Sequence, residues 1–316
     1  MINGKKVGVI IVTYNRLNCL KKLLQGLEQL TYPIEKILVF DNNSTDNTVD
    51  HLRENGFKDY RAHKNDAKKL YFANDDNLGG AGGFSMAVGL AQQLDIDYLW
   101  IMDDDVLPEP DCLEKLLAQM DKTGAEVALP SREDKNYTDR VCLDLDLEDH
   151  NKFWASLRKQ VAPHPLDKET YFVKDMTFEG PLMTLEVSKK VGLPDKDYFI
   201  FFDDTDYAYR LSQYTKIVYV TDAKLRRQLA GGDPNRDSAE REYTWRNYYM
   251  MRNNILFDKR YGKNWKVRHL SPTIMMAHML VLSKRNKHLK HNFPIIMKAW
   301  YDGIRGKSGK RVDPNY

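Results

Sequence analysis

The sequence predicts an α/β fold in which a mostly parallel sheet is covered by helices on both faces. Short apolar runs alternate with segments of helical periodicity through residues 1–130, and the turns between them are tight. This alternation indicates parallel strands, because each crossover helix returns the chain to the same edge of the sheet. Ligands of such sheets bind beyond the carboxyl ends of the strands, so candidate site residues are expected there.

Strands and helices follow one another regularly in the first half. The β-branched run VGVIIVTY is typical of a strand buried on both faces. Strands are predicted at residues 7–14, 37–40, 69–75 and 98–105. Helices are predicted at residues 18–30, from Ser44 or Thr45 onward, at 81–94 and at 110–120.

The second half is less regular. Residues 130–175 are polar and irregular, and we interpret them as a lid or an acceptor loop. A strand and a helix starting near Leu185 follow, and a long amphipathic helix is predicted at 241–262. We divide the chain into a domain at 1–232, with halves 1–130 and 131–232, and a helical, basic region at 233–316.

Composition excludes several classes of protein. The net charge of +3 is too small to indicate a nucleic-acid partner. Cys19, Cys112 and Cys142 are odd in number and lack CxxC spacing, which argues against a disulfide framework or a zinc site. The apolar runs at 7–12 and 274–282 are too short for a signal peptide or a spanning helix. We therefore expect a cytoplasmic protein that is at most peripheral to a membrane.

Polar residues follow all four predicted strands of the first half, where a ligand would bind. Any one of these groups could be an ordinary polar loop without a ligand. Residues 41–46, for example, could do no more than cap a helix. Four groups on one sheet edge favour a binding site. They are Thr13, Tyr14, Asn15 and Arg16; Asp41 and Asn42; Asn77, Gly79 and Gly80; and Asp103, Asp104 and Asp105.

The triplet in WIMDDDV follows a buried strand directly. On an extended segment alternate side chains share a face, so Asp103 and Asp105 are expected to point one way and Asp104 the other. Two carboxylates aimed together favour a hard divalent cation such as Mg²⁺ or Mn²⁺. The alternative is a solvated turn that caps the helix at 110–120.

The glycines of NLGGAGGF precede a predicted helix, so their backbone could approach phosphate closely. The segment matches neither the Walker A pattern nor the dinucleotide fingerprint. A tight turn that only allows close helix packing is the alternative.

Together, VIIVTYNR, VFDNNSTDNT, NLGGAGGF, WIMDDDV and GLPDKDYFIFFDDTDYAYRL resemble glycosyltransferase family 2 over residues 5–260. Within it they resemble bacterial galactofuranosyltransferases and rhamnosyltransferases. The resemblance implies a Rossmann-like GT-A fold, here with a C-terminal helical extension. It also implies an inverting mechanism, a UDP- or dTDP-sugar donor and Mn²⁺ or Mg²⁺.

The resemblance also implies roles for the strand-end residues. Asp41, with Thr13 and Tyr14 beside it, would bind the base of the donor, and Asn77 and the glycines would lie near the diphosphate. Asp103 and Asp105 would hold the metal, and Asp104 is grouped with the donor-binding residues, as are Asn15, Arg16 and Asn42.

The catalytic base falls on the aspartate pair of FFDDTDY, where we favour Asp204 with Asp203 as the alternative. An inverting transfer needs one carboxylate to accept the proton of the attacking hydroxyl. Flanking aromatic residues would desolvate that carboxylate and raise its pKa, although some of them are also expected in the core.

One expected residue is missing from the pattern. A metal-binding histidine usually follows the next strand in this branch, but the segment TDAKLRRQLAGGDP has none. Either water and another residue, such as Arg226, Arg227 or Gln228, complete the metal shell, or the two arginines contact the diphosphate directly.

The C-terminal region is basic, with fourteen Lys and Arg between residues 259 and 311 against one acid, Asp302. It could be a solvated helical end or a surface for anionic lipid. The segment HNFPIIMKAWYDGIRGK suits an interfacial helix, and it would equally suit a dimer contact.

We predict a glycosyltransferase that extends a cell-surface glycan, with galactofuranose as the favoured donor sugar and rhamnose next. The acceptor would be a glycan or a lipid-linked glycan at the inner face of a bacterial membrane. Two alternatives remain. A nucleotidyltransferase also places paired aspartates at strand ends, but it would carry a basic, glycine-rich first loop. A nucleotide-sugar-binding protein without catalysis is compatible with the missing histidine.

Overall fold

A computed structural model describes residues 4–134, 137–229 and 242–313. The strands in these ranges are β1 (Val7–Thr13), β2 (Lys36–Asp41), β3 (Lys58–Asp59), β4 (Lys69–Ala73), β5 (Tyr98–Asp103), β6 (Val106–Pro108), β7 (Val127–Ser131), β8 (Cys142–Leu145), β9 (Lys159–Val161), β10 (Thr170–Val173), β11 (Leu182–Thr184) and β12 (Ile217–Arg227). The α-helices are α1 (Leu17–Leu27), α2 (Thr48–Glu54), α3 (Tyr60–His63), α4 (Gly79–Ala91), α5 (Cys112–Thr123), α6 (Ala155–Arg158), α7 (Leu185–Val191), α8 (Asp203–Leu211), α9 (Trp245–Tyr261), α10 (Ser271–Arg285) and α11 (Leu289–Ile304).

A ten-stranded sheet forms the centre of the molecule, in the order β10-β12-β7-β11-β5-β1-β2-β4-β3, with β6 paired to β12. β1 pairs in parallel with both β2 and β5, and β2 with β4. In this register Thr13 lies beside Asp41, and Val12 lies beside Asp103. The carboxyl ends of the predicted strands therefore meet at one edge, and the predicted α/β class is confirmed.

The central strands are apolar because both faces of the sheet are covered. All seven residues of β1 and all six of β2 are buried. Successive residues of β1 contribute to opposite sides: Val9 and Ile11 pack in one apolar cluster, and Ile10 and Val12 in the other. This explains the uninterrupted β-branched run in the sequence.

Several of the predicted element boundaries are wrong. α1 ends at Leu27 instead of residue 30, and α2 begins at Thr48 instead of Ser44 or Thr45. The backbone N–H groups of Ser44 and Thr45 instead bind Asp41 and the Asn15 side chain, which keeps this stretch as a loop. β4 ends at Ala73 instead of residue 75, and α9 begins at Trp245 instead of residue 241. Residues 130–175, which were predicted to be irregular, contain β8, β9, β10 and α6.

The strands of that stretch pair with partners that are distant in sequence or irregular in register. β10 pairs with β12, which places Thr170 beside Val220. β8 and β9 form a separate two-stranded sheet with a register shift. Local periodicity gave no signal for these pairings, because the partners lie far along the chain.

The C-terminal helices share an apolar cluster of their own. α9, α10 and α11 pack through buried residues that include Tyr249, Ile255, Met275 and Ile296. α9 starts at Trp245, where the Thr244 hydroxyl and the Asn247 side chain form a reciprocal cap. The predicted domain boundary at 232/233 lies outside the described residues. No helix within the described ranges has the length and apolar character needed to cross a membrane.

Candidate active site

The ends of β1 and β5 form one hydrogen-bonded network. The Thr13 hydroxyl donates to Asp104 Oδ2 at 2.7 Å. Arg16 Nη1 lies 2.7 Å from Asp105 Oδ2 and 3.3 Å from Asp104 Oδ1. Thr13 and Arg16, which follow the first predicted strand, thus contact Asp104 and Asp105, which follow the fourth. The ends of these two strands therefore belong to one site.

The end of β2 joins this network through its loop. Asp41 is buried and accepts the backbone N–H of Ser44 at 3.2 and 3.3 Å. Burial raises the pKa of Asp41, and the hydrogen bonds from Ser44 oppose that rise. Asn15, at a φ of 52°, donates its N–H to Ser44 Oγ, while the neighbouring Tyr14 ring is exposed. The loops after β1 and β2 are therefore bound together, with an aromatic ring open to a ligand.

Asn42 links β2 to the glycine-rich segment. Its Nδ2 donates to Asn77 Oδ1 at 3.2 Å and to the Gly79 carbonyl at 3.0 Å, and its Oδ1 accepts from Leu78 N at 2.9 Å. The start of α4 is thereby held at the same edge of the sheet as the other predicted residues.

The two glycines that begin α4 have different surroundings. Gly79 has a φ of +72°, and a Cβ there would lie 2.3 Å from the Phe199 carbonyl oxygen. A Cβ on Gly80 would meet nothing within 4 Å. Gly79 thus serves close packing, which was the alternative reading of NLGGAGGF, and Gly80 leaves open space in which a ligand could approach the backbone.

The expected alternation of the aspartate triplet is wrong. β5 ends at Asp103, and Asp104 and Asp105 lie in the turn before β6. Both turn residues contact Arg16. Alternation requires extended backbone, and the chain leaves that conformation after Asp103. Asp104 and Asp105 therefore share a partner instead of pointing to opposite sides.

Asp103 has acidic neighbours. Burial raises its pKa well above the ordinary range, and the charges of Glu179, Asp105 and Asp104 raise it further. Across the described residues, no hydrogen bond or ion pair engages this carboxyl group. An acidic group that is surrounded by like charges is stabilised when a cation arrives.

Glu179 was not predicted from the sequence. It lies just before β11, which pairs with β5 so that Leu182 lies beside Trp100. Its carboxylate contacts Arg132 Nη1 at 2.9 Å and Arg227 Nη2 at 3.4 Å. A single glutamate between aromatic and glycine residues carries no local signal, so only the antiparallel pairing reveals it.

The residues at this edge fit a divalent ion as part of a shell. Asp103, Asp105 and Glu179 offer only oxygen atoms, which suits Mg²⁺ or Mn²⁺. In the part of the chain that the structure describes, no group of three or more His, Cys, Asp or Glu residues is arranged to hold a metal ion. Asp105 is also paired with Arg16. Diphosphate oxygens or water would have to complete the shell, and the metal role stays a prediction.

The three residues that could replace the missing histidine lie in different settings. Arg226 pairs with Glu109, whereas Arg227 contacts Glu179 and lies over the Tyr137 ring. Gln228 joins the turn at Asp104 and Asp105 to α1. Its backbone N–H donates to the Asp105 carbonyl at 2.7 Å, and its side chain donates to the Cys19 carbonyl at 2.9 Å. Of the three, Arg227 lies beside the acidic group.

The first turn of α8 carries the two candidate bases, Asp203 and Asp204. Burial and the adjacent Asp204 raise the pKa of Asp203 well above its ordinary range. Burial and Asp175 raise the pKa of Asp204 to about 6, and Lys159 and Arg132 oppose that rise. Asp203 therefore keeps its proton more tightly, and Asp204 is the better candidate for a carboxylate at neutral pH.

A cavity of about 60 Å³ is lined by residues that act on both acidic groups, although Asp103 and Asp204 are not among its lining residues. Lys159 and Asp175, which form an ion pair, line it together with Arg132 and Glu179. Glu179 acts on Asp103, whereas Lys159, Asp175 and Arg132 act on Asp204. The charged wall of the cavity therefore connects the predicted metal side with the predicted base side electrostatically.

The loop before α8 has unusual backbone. Phe199, Phe201 and Phe202 have φ of 65°, 65° and 69°. Ile200 N donates to the Tyr198 carbonyl at 2.8 Å, which closes a γ-turn with positive φ at its centre. Bulky residues rarely adopt such conformations, and they persist where neighbouring contacts enforce them, commonly at functional sites.

Asn253 of α9 provides those contacts. Its Nδ2 donates to the carbonyls of Tyr198 at 3.0 Å, Ile200 at 2.7 Å and Phe201 at 2.9 Å. Arg252 Nε donates to its Oδ1 at 2.7 Å, which fixes the orientation of the amide. Ala81 N, in the first turn of α4, binds the remaining carbonyl, that of Phe199, at 3.1 Å. The C-terminal helices and the glycine-rich segment therefore hold the loop that leads into Asp203 and Asp204.

Comparison with known proteins agrees with this geometry. The model of the family described as "Glycosyl transferase family 2" matches residues 8–175. Galactofuranosyltransferase GlfT2 of Mycolicibacterium smegmatis is 25% identical over 79% of this chain, and the match covers 40% of that protein. The dTDP-rhamnosyl transferase RfbF of Shigella flexneri is 24% identical over 97% of this chain and 98% of its own.

Among solved structures, the mannosyltransferase PcManGT from Pyrobaculum calidifontis in complex with GDP-Man and Mn²⁺ superposes with a TM-score of 0.56. The match is 14% identical and covers 97% of this chain and 89% of the other. At this identity the likeness shows the fold alone, which is the GT-A fold that the motifs predicted. Because the family model matches more than half of the sequence, this chain belongs to glycosyl transferase family 2.

Proposed function

We propose that this protein transfers a sugar from a nucleoside diphosphate donor to an acceptor hydroxyl with inversion at the donor carbon. The observation that carries the proposal is the presence of two separate acidic groups, each acted on by charged residues that line one cavity. One group, around Asp103, is suited to the charge of a diphosphate and its cation. The other contains Asp204, whose pKa of about 6 suits a general base.

On the donor side, Thr13, Tyr14 and Asp41 bind the base and ribose. The buried Asp41 carboxylate offers a fixed acceptor, and the exposed Tyr14 ring offers a face for stacking. Asn15 and Asn42 hold the loops in place, and Gly80 admits the diphosphate to the backbone of α4. Arg16 fixes Asp104 and Asp105 so that the aspartate turn keeps its shape before a donor arrives.

Asp103, with Asp105 and the neighbouring Glu179, would hold Mn²⁺ or Mg²⁺. When bound, that ion would neutralise charge on the departing diphosphate. Arg227, placed against Glu179, adds a fixed positive charge on the same side. The residues of the chain that orient the donor and balance its charge are thus distinct from the one that accepts a proton.

On the acceptor side, the Asp204 carboxylate accepts the proton of the attacking hydroxyl. Asp203 beside it keeps its own proton at neutral pH, because burial and Asp204 disfavour a second charge. Asp206 cannot serve in this role, since Tyr198, Arg210, Arg260 and Tyr261 all bind its carboxylate. Lys159 and Asp175 would face the acceptor in the cavity.

For the donor sugar we infer galactofuranose first, supported by the likeness to a galactofuranosyltransferase. Rhamnose is the second candidate, favoured by the likeness to a rhamnosyl transferase over almost the full length of both chains. We infer that the acceptor is a glycan or a lipid-linked glycan and that the protein acts at the inner face of a membrane. A homo-oligomer is compatible with this arrangement.

A thermal-shift screen of nucleotide sugars, with and without Mn²⁺, tests the donor side, because a ligand that binds the folded state raises the melting temperature. A UDP- or dTDP-sugar should stabilise the protein more strongly with metal than without it. A transfer assay with the best donor then compares the wild type with Asp204→Asn. Equal rates would refute the base assignment, and donor binding without any transfer or hydrolysis would favour a non-catalytic binding protein. Release of diphosphate from a nucleoside triphosphate would favour a nucleotidyltransferase.

A further inference from the structure

The helical segment from Trp265 to Arg285 exposes a continuous stripe to solvent. Residues at every fourth position are exposed along a π-helical turn (Lys266–Leu270) and α10. They are Trp265, His269, Thr273, Ala277, Val281 and Arg285. Trp265 is 69% exposed and Val281 is 65% exposed, which is high for large apolar side chains. This stripe is called the α10 face below.

Every charged residue of the segment that carries the α10 face is basic, and Glu242 lies 4.0 Å from His288 and His291, beyond the end of α10. No acidic residue occurs in the sequence between Lys263 and Tyr301. Lys266 and Arg268 lie beside Trp265, and Lys284, Arg285 and Lys287 lie at the other end. None of these five cations forms an ion pair with a residue in the described ranges, so each is available to an external anion.

The acid that follows this segment does not offset the charge. Asp302 is only 2% exposed, and Lys298, Lys307 and the Tyr248 hydroxyl bind its carboxylate. The positive charges of α10 therefore face solvent without a nearby exposed carboxylate on the same helices.

α11, the helix whose composition suits an interface, is only partly exposed. Ile295, Ile296 and Ala299 are buried in the C-terminal cluster, whereas Phe293 and Tyr301 are exposed. The apolar side of α11 packs mainly inside the protein, and the α10 face is the longer exposed stripe. The α10 face is therefore the stronger candidate for a lipid surface, and the role of α11 stays a prediction.

We propose that the α10 face docks on the surface of an anionic lipid bilayer. A tryptophan and aliphatic side chains with basic residues at both ends suit the boundary between head groups and acyl chains. Anionic lipids attract juxtamembrane lysine and arginine, whereas a second copy of this strongly basic surface would repel it. Charge complementarity therefore favours the bilayer as the occupant. The proposal does not depend on the glycosyltransferase activity.

Co-sedimentation with vesicles tests the proposal. The full chain is mixed with phosphatidylcholine vesicles or with vesicles that also contain phosphatidylglycerol, at low and at high salt. We expect binding only to the anionic vesicles, weakened by salt. Lys284→Glu with Arg285→Glu should lower the partition coefficient by about tenfold or more, because each cation at an anionic surface contributes several-fold. Trp265→Ala with Val281→Ser should lower it as well.

Two matched controls sharpen the test. Lys22→Glu with Lys58→Glu reverses two exposed lysines elsewhere, and Tyr214→Ala removes a ring that is 51% exposed. Both should bind vesicles nearly as the wild type does. The proposal is overturned if anionic vesicles do not bind the wild type, if control and α10 variants lose binding equally, or if light scattering shows that the α10 variants only abolish a dimer. Donor-induced thermal shifts should be the same in the wild type and in all variants, which shows that the variants are folded. A wild type that binds anionic vesicles but shows no donor-induced shift would count against the proposed function and leave the lipid proposal standing.

Discussion

Substitution of Asn253 by alanine should impair catalysis, although Asn253 is not one of the reacting groups. Asn253 is fully buried and donates to three carbonyls of the loop that leads into Asp203 and Asp204. Arg252 also binds the Tyr198 carbonyl, so the variant leaves those of Ile200 and Phe201 without a donor from the described residues. An unsatisfied buried carbonyl costs about 1–3 kcal/mol, which gives about 2–6 kcal/mol for the two.

We expect the loop to change its conformation when these hydrogen bonds are lost, because its backbone is strained. Positive φ costs a bulky residue about 1–2 kcal/mol, so Phe199, Phe201 and Phe202 together store about 3–6 kcal/mol. The lost hydrogen bonds and the stored strain are of similar size. We therefore expect the variant to populate other loop conformations, in which Asp204 is displaced from Asp175, Lys159 and Arg132.

The assay compares kcat, donor affinity and melting temperature for Asn253→Ala and Asn254→Ala. Asn254 is the matched control, because it is equally buried on the same helix and donates to the Phe153 carbonyl at 2.9 Å, away from the loop. Both variants should melt lower. Only Asn253→Ala should lower kcat by about tenfold or more, since about 1.4 kcal/mol corresponds to a factor of ten. It should also speed hydrogen exchange at 198–204 while the donor affinity stays near that of the wild type. A kcat within twofold of the wild type, or equal to that of Asn254→Ala, would refute the reasoning.

The remaining predictions concern the aspartates and glycines of the site. Asp204→Asn should lower kcat by about 10²–10⁴-fold, the range of general base catalysis, while the melting temperature stays equal or rises because a buried charge is removed; a lower melting temperature with full activity would contradict this. The kcat/KM of the wild type should rise with pH through about 6, as Asp204 loses its proton, and this limb should vanish in Asp204→Asn. Because the folded-state pKa of Asp204 is raised, this residue should also lower the free energy of unfolding as pH rises from about 4 to 6. Urea titrations of the wild type and of Asp204→Asn would detect the difference. Gly79→Ala should destabilise the protein by about 1–2 kcal/mol or more, since its Cβ would meet the Phe199 carbonyl at 2.3 Å, whereas Gly80→Ala should fold normally and weaken only donor binding. Asp103→Asn should remove the extra donor-induced thermal shift that Mn²⁺ provides and leave the metal-free shift; an undiminished Mn²⁺ effect would argue against Asp103 as a ligand.

The central strands and the polar groups at their ends could be predicted from the sequence alone. The inner positions of β1, β2 and β5 form local apolar runs, because both faces of these strands are covered. β4 is also recognised by a short apolar run, although it is buried only at Leu70 and Tyr71. The position of Thr13, Asp41 and Asp103 at one sheet edge then follows from parallel pairing. The aspartate pair at the start of α8 was likewise visible as a local motif.

The residues that surround those groups could not be predicted, because they come from segments that are distant in the chain. Glu179 reaches Asp103 through the pairing of β11 with β5, and Asn253 reaches the loop before Asp203 from a helix about fifty positions later. The orientation of Asp104 and Asp105 depends on where β5 ends and on Arg16, and the exposed α10 face depends on how α9 and α11 cover the other side. Each of these features is a contact between segments distant in the chain. Local periodicity reports only whether a side chain is buried, and it carries no information about which distant partner buries it.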